Sequence, residues 1–207
     1  MVTELDNRKG LVLALVGESG AGKTTTTAII ADMGFAPIAL AKHLRESAIA
    51  QYGKPERAQV QKLARETQAI HGDDYYARVA LSDPSFSQPG DVIIDGLRNV
   101  AELEYTSKAV ADTGRKFFLV AVLASDEMRF SRVVNRGRAG DPLLRELFEE
   151  DDARARGDAQ DGFQQNGILI EMAEHTLYNT GDMDNLRTRI REAVEIAHRS
   201  GTGGPTK

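Results

Sequence analysis

The sequence contains no cysteine in its 207 residues, which excludes a disulfide framework and a metal site built from thiolates. Its four histidines lack the spacing that metal ligands share, so we expect each to be a surface or packing residue. These histidines are His43, His71, His175 and His198. The chain has neither an internal repeat nor a low-complexity block, and its length suits one domain over residues 1–207 with a full hydrophobic core.

Long apolar runs and an excess of positive charge are also missing. The longest apolar run, Leu11–Val16, is far too short to cross a bilayer, and residues 1–10 lack the apolar core of a signal peptide. Lys and Arg total 26 against 31 Asp and Glu, so the net charge is −5 and there is no overall basic field, although a local patch stays open. We expect a cytoplasmic protein without a membrane partner, with a small phosphorylated partner favoured over nucleic acid. The oligomeric state, a homodimer included, is left open.

Short apolar runs alternate with helical patterns along the chain. The runs are Leu11–Val16, Phe35–Leu40, Val92–Ile94, Phe117–Leu123 and Thr176–Tyr178. This alternation predicts an α/β fold with a parallel sheet of about five strands and helices on both faces. Ligands of such sheets bind beyond the carboxyl ends of the strands, so we expect the chemistry in the segments that directly follow each run.

Helix boundaries can be predicted at both ends of the chain. The first helix is expected to run from Lys23 to Gly34, a residue suited to a left-handed cap. Apolar residues at i, i+4, i+7, i+8 and i+11 from Leu186 predict the last helix, with Asp182 or Asp184 as its N-cap. Residues 199–207 are small and polar, and we expect a flexible tail.

The first apolar run leads directly into Gly17–Thr24, which has the pattern GxxxxGK[ST] of a phosphate-binding loop. The glycines let successive N–H groups point inward, Lys23 reaches the outer phosphates, and the Thr24 hydroxyl can ligate Mg²⁺. The N-terminus of the following helix adds positive potential. A glycine-rich turn without function would explain neither Lys23 nor Thr24. We expect nucleotide phosphates to contact Gly17, Ser19, Gly20, Ala21, Gly22, Lys23, Thr24 and Thr25.

The third run is followed by the carboxylate of Asp95 and then by Gly96, which allows a turn. The guanidinium of Arg98 comes two residues after the glycine. Asp95 can hold Mg²⁺ or its water, as Walker B acids do, or act on an acceptor hydroxyl. No glutamate follows Asp95, so the acid pair with which motor ATPases activate water is missing, and transfer is favoured over hydrolysis. Arg98 is placed for bidentate contact with an acceptor phosphate. The alternative is an acid that caps its own turn and a solvated arginine.

A second basic group lies within residues 128–138, where three arginines share one helical stripe and a fourth follows a glycine. They are Arg129, Arg132, Arg136 and Arg138. Asp141 and Pro142 predict the N-cap and first residue of the next helix, which makes residues 135–142 a predicted lid. Arginines that close on a transferred phosphoryl group contribute on the order of 10³ to 10⁵ in rate. The alternative is a solvated basic face that pairs with the acidic run 149–152.

Residues 42–87, between the second and third runs, are polar and amphipathic. An insert at this place could form an acceptor pocket, with basic side chains for a phosphate and tyrosines for a base face. Its basic residues include Lys42, Arg45, Arg57 and Arg65, followed by the segment His71–Arg78. Two ordinary surface helices would explain the same pattern. After the last run, residues 179–182 are weakly similar to the NKxD motif of GTPases without its lysine, which predicts Asn179 beside the donor base.

With these residues assembled, nearly the whole chain resembles the nucleoside monophosphate kinase group of P-loop proteins. Residues 39–45, 57–78 and 95–102 are similar to phage-type deoxynucleoside monophosphate kinases, which phosphorylate dNMPs with ATP. Much of the second half, residues 93–105, 118–142 and 178–190, is similar to archaeal proteins related to dephospho-CoA kinase. The resemblance implies a three-layer α/β/α P-loop kinase fold with an acceptor-binding insert at about 42–87 and a lid.

Carried over by position, the resemblance implies a role for individual residues. It places Lys23 and Thr24 on the donor phosphates and Mg²⁺, for which the position of Asp95 at the end of a strand predicts a second ligand. Around the acceptor it places Lys42, Arg45, Asp74, Arg78, Asp95 and Arg98, and on the lid Arg132, Arg136 and Arg138. One departure matters: residues 39–42 replace the acidic motif of dephospho-CoA kinases, so their general base has no counterpart there.

The sequence therefore predicts Mg²⁺-dependent transfer of the ATP γ-phosphoryl group to the phosphate of a (deoxy)nucleoside monophosphate. A phosphate acceptor is already anionic, so positioning and charge neutralisation suffice without a strong base. A kinase for another small acceptor, such as dephospho-CoA or a modified nucleoside, is one alternative. A nucleotide-dependent switch or binding module is another. A kinase is favoured if four basic side chains converge near the loop, and a switch is favoured if they point apart. These side chains are Lys42, Arg45, Arg78 and Arg98.

Overall fold

The computed structural model describes residues 10–138, 140–157 and 164–200. At its centre lies a five-stranded parallel sheet with the order β2-β3-β1-β4-β5. Its strands are β1 (Leu11–Val16), β2 (Ala36–Ala39), β3 (Val92–Asp95), β4 (Lys116–Leu123) and β5 (His175–Tyr178). The predicted parallel α/β sheet is confirmed, and each strand ends within one residue of its expected bounds.

Helices connect successive strands on both faces of the sheet. Those of the described residues are α1 (Lys23–Asp32), α2 (Ala41–Tyr52), α3 (Arg57–His71), α4 (Tyr75–Leu81), α5 (Val100–Asp112), α6 (Asp126–Arg136), α7 (Arg145–Arg156), α8 (Asn166–Glu171) and α9 (Met183–Arg199), with a 3₁₀ turn at Pro84–Ser87. Helix α1 ends two residues before Gly34, which has the expected left-handed backbone with φ +101°. None of these helices combines the length and apolar character needed to cross a bilayer.

Strand β1 is buried along its whole length, because both faces of the sheet are covered. Val12, Ala14 and Val16 belong to a core shared with α4, α5 and α8. Leu11, Leu13 and Leu15 point to the opposite face and pack with α1 and α9. The sheet is thus the middle of three layers. All five strands are parallel, so the segments that follow them lie at one edge of the sheet, as predicted.

The predicted helix start at Asp141 and Pro142 is wrong. Helix α7 begins at Arg145, and the Asp141 carboxylate accepts hydrogen bonds from the Arg136 guanidinium at 2.6 and 2.8 Å. The side chain that would cap a helix is therefore occupied by an arginine of the preceding helix. Of the predicted lid, Ala139 lies outside the described residues, as do residues 201–207 of the predicted tail and residues 1–9.

The insert contains three α-helices, α2, α3 and α4. The alternative interpretation of its sequence, as ordinary surface helices, assumed two. They enclose a small core of their own around Leu44, Ala64 and Tyr76. This core fixes the start of α2, and with it Lys42 and Arg45, next to the carboxyl end of β2.

Candidate active site

The segment between β1 and α1 has the backbone of a tightly curled loop. Gly17, Gly20 and Gly22 have φ of +141°, +80° and +103°, in the left-handed region that disfavours side chains. There is also no space for one: a Cβ at Gly22 would lie 2.2 Å from the Asn179 amide nitrogen, and a Cβ at Gly20 would lie 2.5 Å from the backbone oxygen of Arg129. Conformation and packing therefore both require glycine.

Lys23 lies half-buried inside this loop. Its Nζ donates to the backbone oxygens of Gly17 at 2.5 Å and Glu18 at 2.9 Å. Burial lowers the pKa of Lys23 to about 8; the Asp95 carboxylate opposes this shift, whereas Arg98 and Arg136 add to it. Cationic groups on three elements thus crowd one place, and this excess of positive charge suits the phosphates of a nucleotide.

The side-chain oxygens near Lys23 that could ligate a metal include the hydroxyls of Thr24 and Thr25 and the carboxylate of Asp95. Thr24 and Thr25 are exposed in the first turn of α1, which carries no acidic side chain. The described residues contain no cluster of three or more metal-binding acidic, His or Cys side chains. Mg²⁺ in phosphoryl-transfer enzymes usually takes one or two protein ligands and completes its shell with phosphates and water. Thr24 and Asp95 therefore fit a Mg²⁺ ion that binds together with a nucleotide.

The turn after β3 presents Asp95 and Arg98. Asp95 pairs in register with Leu15 of β1 and Ala39 of β2, so it lies between the first two loops of the carboxyl edge. The backbone of Arg98 is held on both sides, because its N–H donates to Glu102 Oε2 at 2.7 Å and its oxygen accepts from the Gln165 N–H at 2.6 Å. The turn is therefore fixed before any ligand binds.

The electrostatic environment links Arg98 to the insert. Burial lowers the pKa of the Arg98 guanidinium; Glu102 opposes the shift, Arg45 adds to it, and Asp95 and Arg57 have smaller effects of opposite sign. Arg98 therefore lies within electrostatic range of Arg45 in the insert and of Lys23 in the loop. The predicted acceptor and donor residues thus influence each other's charge.

A groove of about 380 Å³ opens between α1, the edge strand β2 and α2. Lys42, Arg45 and Asp95 line it together with Thr27 and Ile38. Its size falls within the range of small-molecule sites. The structure therefore brings together three of the predicted acceptor residues and gives them a shared concave surface.

Arg98, also predicted around the acceptor, lines a separate small cavity with Leu40 and Tyr76 rather than this groove. Asp74 and Arg78, two further predicted acceptor residues, do not line the groove either. They pair with each other at 3.2 Å, and Arg78 donates to the backbone oxygen of His71 at 2.5 Å. Tyr76 is buried in the core of the insert, and Tyr75 stacks on His71 with ring centroids 4.8 Å apart. The structure supplies these residues with local structural partners, and their contact with an acceptor stays a prediction.

The predicted lid arginines lie at different places around the loop. Arg132 donates to the backbone and side-chain oxygens of Asn179 at 3.1 and 3.3 Å, and Asn179 in turn donates to the Ala21 oxygen at 2.8 Å. Arg136 donates to Ser19 Oγ at 3.2 Å while it pairs with Asp141. Arg138 is exposed. Arg132, Arg136 and Asn179 therefore surround the predicted donor loop.

Arg129 differs from the solvated arginine that the alternative interpretation of the stripe assumed. It is fully buried and donates to both carboxylate oxygens of Asp152 at 2.7 Å and to Asp126 at 2.8 Å. Burial alone would lower the pKa of Arg129, but these hydrogen bonds outweigh it and raise the pKa. The expected pairing with the acidic run does occur through Asp152, inside the protein rather than on its surface.

Asn99 and Glu102, which were not among the predicted site residues, hold the turn after β3. Asn99 caps α5 by accepting from the Glu102 N–H at 2.8 Å, and its amide donates to the Asp73 oxygen at 3.2 Å. Burial raises the pKa of Glu102 to about 7. An Asn followed three residues later by Glu at a helix start is a capping pattern, so this signal was present in the sequence. No comparable signal marks Glu18, which occupies a variable position of the loop pattern.

The sheet and the loop define the class of this protein as a P-loop kinase-like domain. The chain belongs to the AAA domain family, whose model matches residues 16–146, and to the UPF0200 proteins. It is 30% identical to the UPF0200 protein of Hyperthermus butylicus, over 89% of this chain and 93% of that protein. It is also 30% identical to a UPF0200/UPF0201 protein of Archaeoglobus fulgidus, of which the chain spans 54%.

Solved structures show the same fold at low sequence identity. TT1252 from Thermus thermophilus superimposes with a TM-score of 0.60 at 19% identity, covering 94% of this chain and 100% of that one. Shikimate kinase from Acinetobacter baumannii, solved in complex with shikimate, gives a TM-score of 0.51 at 15% identity and covers 92% and 93% of the two chains. These structures support the three-layer fold.

Proposed function

We propose that the chain transfers the γ-phosphoryl group of ATP to the phosphate of a (deoxy)nucleoside monophosphate, with Mg²⁺ required and a nucleoside diphosphate as product. The observation that carries this proposal is the groove that Lys42, Arg45 and Asp95 line at the edge of the sheet that carries the loop, with Arg98 within electrostatic range of both Lys23 and Arg45. A single donor site would need only the loop. A second group of cations next to it supports an anionic acceptor.

On the donor side, the loop backbone and Lys23 bind the phosphates. Lys23 is held by two backbone oxygens, so its ammonium group is already oriented when the nucleotide arrives. Thr24 and Asp95 would hold Mg²⁺, which when bound neutralises charge on the phosphate oxygens. Arg136, which already reaches Ser19 Oγ, would stabilise negative charge on the transferred group, together with Arg132 and Arg138.

On the acceptor side, Lys42, Arg45 and Arg98 would hold the phosphate that attacks the donor. An ionised phosphate needs no general base, and positioning by these cations supplies most of the catalytic effect. A hydroxyl acceptor would need a general base, such as an acidic residue after β2. This chain has the buried apolar residues Leu40 and Ala41 there instead. The groove therefore suits a phosphate acceptor better than a hydroxyl acceptor.

A coupled assay of ADP release tests the acceptor class, with Mg²⁺, ATP and a panel of dNMPs, NMPs, dephospho-CoA and shikimate. We expect acceptor-dependent release with one or more nucleoside monophosphates. Release with dephospho-CoA or shikimate alone would overturn the phosphate acceptor, and release that ignores every acceptor would favour a nucleotide switch.

Lys23→Ala is expected to abolish turnover without unfolding the protein, because it removes a cation from the phosphates but leaves the core intact. Lys62→Ala, on the exposed side of α3, is the matched control and should retain wild-type turnover. Circular dichroism checks the fold of both variants. Near-normal turnover in Lys23→Ala would contradict the role of the loop.

A further inference from the structure

Five charged side chains, which we call the loop ion cluster, connect α6 and the end of α7 to the donor loop. Its members are Glu18 of the loop, Asp126 and Arg129 of α6, and Asp152 and Arg156 of α7. Arg156 Nε lies 2.5 Å from Glu18 Oε1, and Arg129 Nη2 lies 3.2 Å from Glu18 Oε2. A carboxylate of the loop is thus held from both helices.

Arg129 links this cluster to the loop backbone. Its guanidinium donates to the Ser19 oxygen at 3.2 Å, and its own backbone packs so closely on Gly20 that no Cβ fits between them. Asp152 fixes the guanidinium through two hydrogen bonds of 2.7 Å and also pairs with Arg156 at 3.1 Å. Residues 18–20, part of the segment that must curl around phosphates, therefore depend on α6 and α7 for their position.

The members of the cluster differ in what their loss would do. Arg129 has no exposed surface and Asp152 is 6% exposed, so removing either leaves a buried charge without its partner and threatens the fold. The Arg156 side chain is 51% exposed, and solvent can take its place. Arg156 is therefore the member whose removal loosens Glu18 at the least cost to the fold, because Arg129 still pairs with Asp152 when Arg156 is gone.

We infer that Arg156 is a positioning residue for the donor loop: it acts through Glu18 to keep residues 18–20 in the phosphate-binding conformation. The inference rests on the proposed function only for the binding of a nucleotide by the loop. A loop held in its bound conformation loses less conformational freedom when the ligand binds, so the affinity for the donor nucleotide depends on α7.

Isothermal titration calorimetry of the full chain with Mg²⁺ and ADP tests this inference. We expect Arg156→Ala to weaken ADP binding by roughly 3- to 30-fold, the range that residues outside a ligand contact reach. Glu18→Gln should weaken it at least as much, because it also removes the charge that pairs with Arg129. The double variant should lose less than the sum of the two single losses, because the contact between Arg156 and Glu18 is removed in both. Arg156→Lys should recover part of the affinity. Arg154→Ala is the matched control: Arg154 lies on the same helix, is 65% exposed and pairs with Asp151, so its loss should leave affinity unchanged.

Thermal unfolding without nucleotide separates positioning from general stability. A purely structural role for Arg156 predicts a lower Tm with unchanged ADP affinity, and that result would overturn the inference. Additive losses in the double variant would overturn it as well. A wild-type chain that fails to bind ADP would instead contradict nucleotide binding itself, and with it the proposed function.

Discussion

At the scale of single residues, Lys23 shows how the fold prepares a site for anions. Burial and the nearby guanidinium groups of Arg98 and Arg136 lower its pKa to about 8, against the opposing effect of Asp95. A lysine that is costly to keep charged in the free protein gains most from an anionic partner. Bound phosphates should restore its ordinary pKa, well above neutrality.

Proton uptake is therefore expected when ADP binds at pH 8, because Lys23 is partly neutral in the free protein and fully charged in the complex. Titration calorimetry in two buffers of different ionisation enthalpy measures the number of protons. Lys23→Arg provides the control, since its guanidinium does not titrate and the nucleotide contributes equally in both proteins. Equal proton uptake in wild type and Lys23→Arg at pH 8 would show that Lys23 does not titrate on binding.

Glu102 should make stability depend on pH. Burial raises its pKa from 4.5 to about 7, so the native state prefers the neutral acid. The protonated Glu102 therefore stabilises the native state. This stabilisation is fully present below about pH 4.5 and is lost as pH rises through about 7. Glu102→Gln keeps an acceptor for the Arg98 N–H but removes the charge, and we expect it to exceed wild-type stability at pH 8 by on the order of 2 to 3 kcal/mol.

Urea unfolding at pH 5 and pH 8 measures this difference, which should shrink at pH 5. Glu104→Gln, an exposed position of the same helix, should show little pH-dependent difference. A gap between Glu102→Gln and wild type that is equal at both pH values would contradict the raised pKa.

At the scale of elements, two aspartates that both looked like helix caps show where local rules hold. Asp182 is an N-cap, because its carboxylate accepts from the Asn185 N–H at 2.8 Å and no other group competes for it among the described residues. Asp141 binds Arg136 instead, and α7 starts after it. A capping pattern predicts geometry only where the side chain is free, and the competing arginine lies on another element.

Asp182→Ala should destabilise the protein by about 1 kcal/mol, because the first turn of α9 loses its side-chain acceptor. Asp184, two residues further on in the first turn of α9, is 93% exposed and pairs with Arg187. Asp184→Ala should cost less than about 0.5 kcal/mol. Urea unfolding of both variants measures the comparison, and equal losses would argue against the assignment of Asp182 as the cap.

The loop ion cluster shows what a helical stripe in the sequence does not predict. Periodicity placed Arg129, Arg132 and Arg136 on one stripe, and the structure does direct all three towards the loop. The pattern cannot tell which of them is buried, because burial depends on α7 packing over α6. The sequence could therefore not separate Arg129 from the other two, whereas in the structure carboxylates of α6 and α7 surround it.

At the scale of the whole molecule, the insert and the α6–α7 region meet above the carboxyl edge of the sheet. Arg57 of α3 pairs with Asp151 of α7 at 2.8 Å, and Gly140 packs against Arg57. Alternation of strands and helices was sufficient to predict the sheet, its parallel strands and the edge that carries the site. The groove itself could not be predicted, because it depends on how α2 packs beside the edge strand β2.

If the groove binds the acceptor, loss of Arg45 should change the KM for the acceptor and not the KM for ATP. Arg45→Ala should raise the KM for the acceptor roughly 10- to 100-fold, since it removes a charged hydrogen-bond donor, and should leave the KM for ATP nearly unchanged. Arg187→Ala, an exposed arginine of α9, serves as the matched control. Steady-state kinetics with each substrate varied in turn separates the two effects. A change confined to the KM for ATP would place Arg45 on the donor instead.

³¹P NMR of the reaction mixture tests whether the loop and the groove hold a donor phosphate and an acceptor phosphate end to end. With ATP, Mg²⁺ and the accepted nucleoside monophosphate, we predict one ADP and one new nucleoside diphosphate for each ATP consumed, without inorganic phosphate. Conversion of ATP to ADP and inorganic phosphate, at the same rate with and without the monophosphate, would contradict this arrangement.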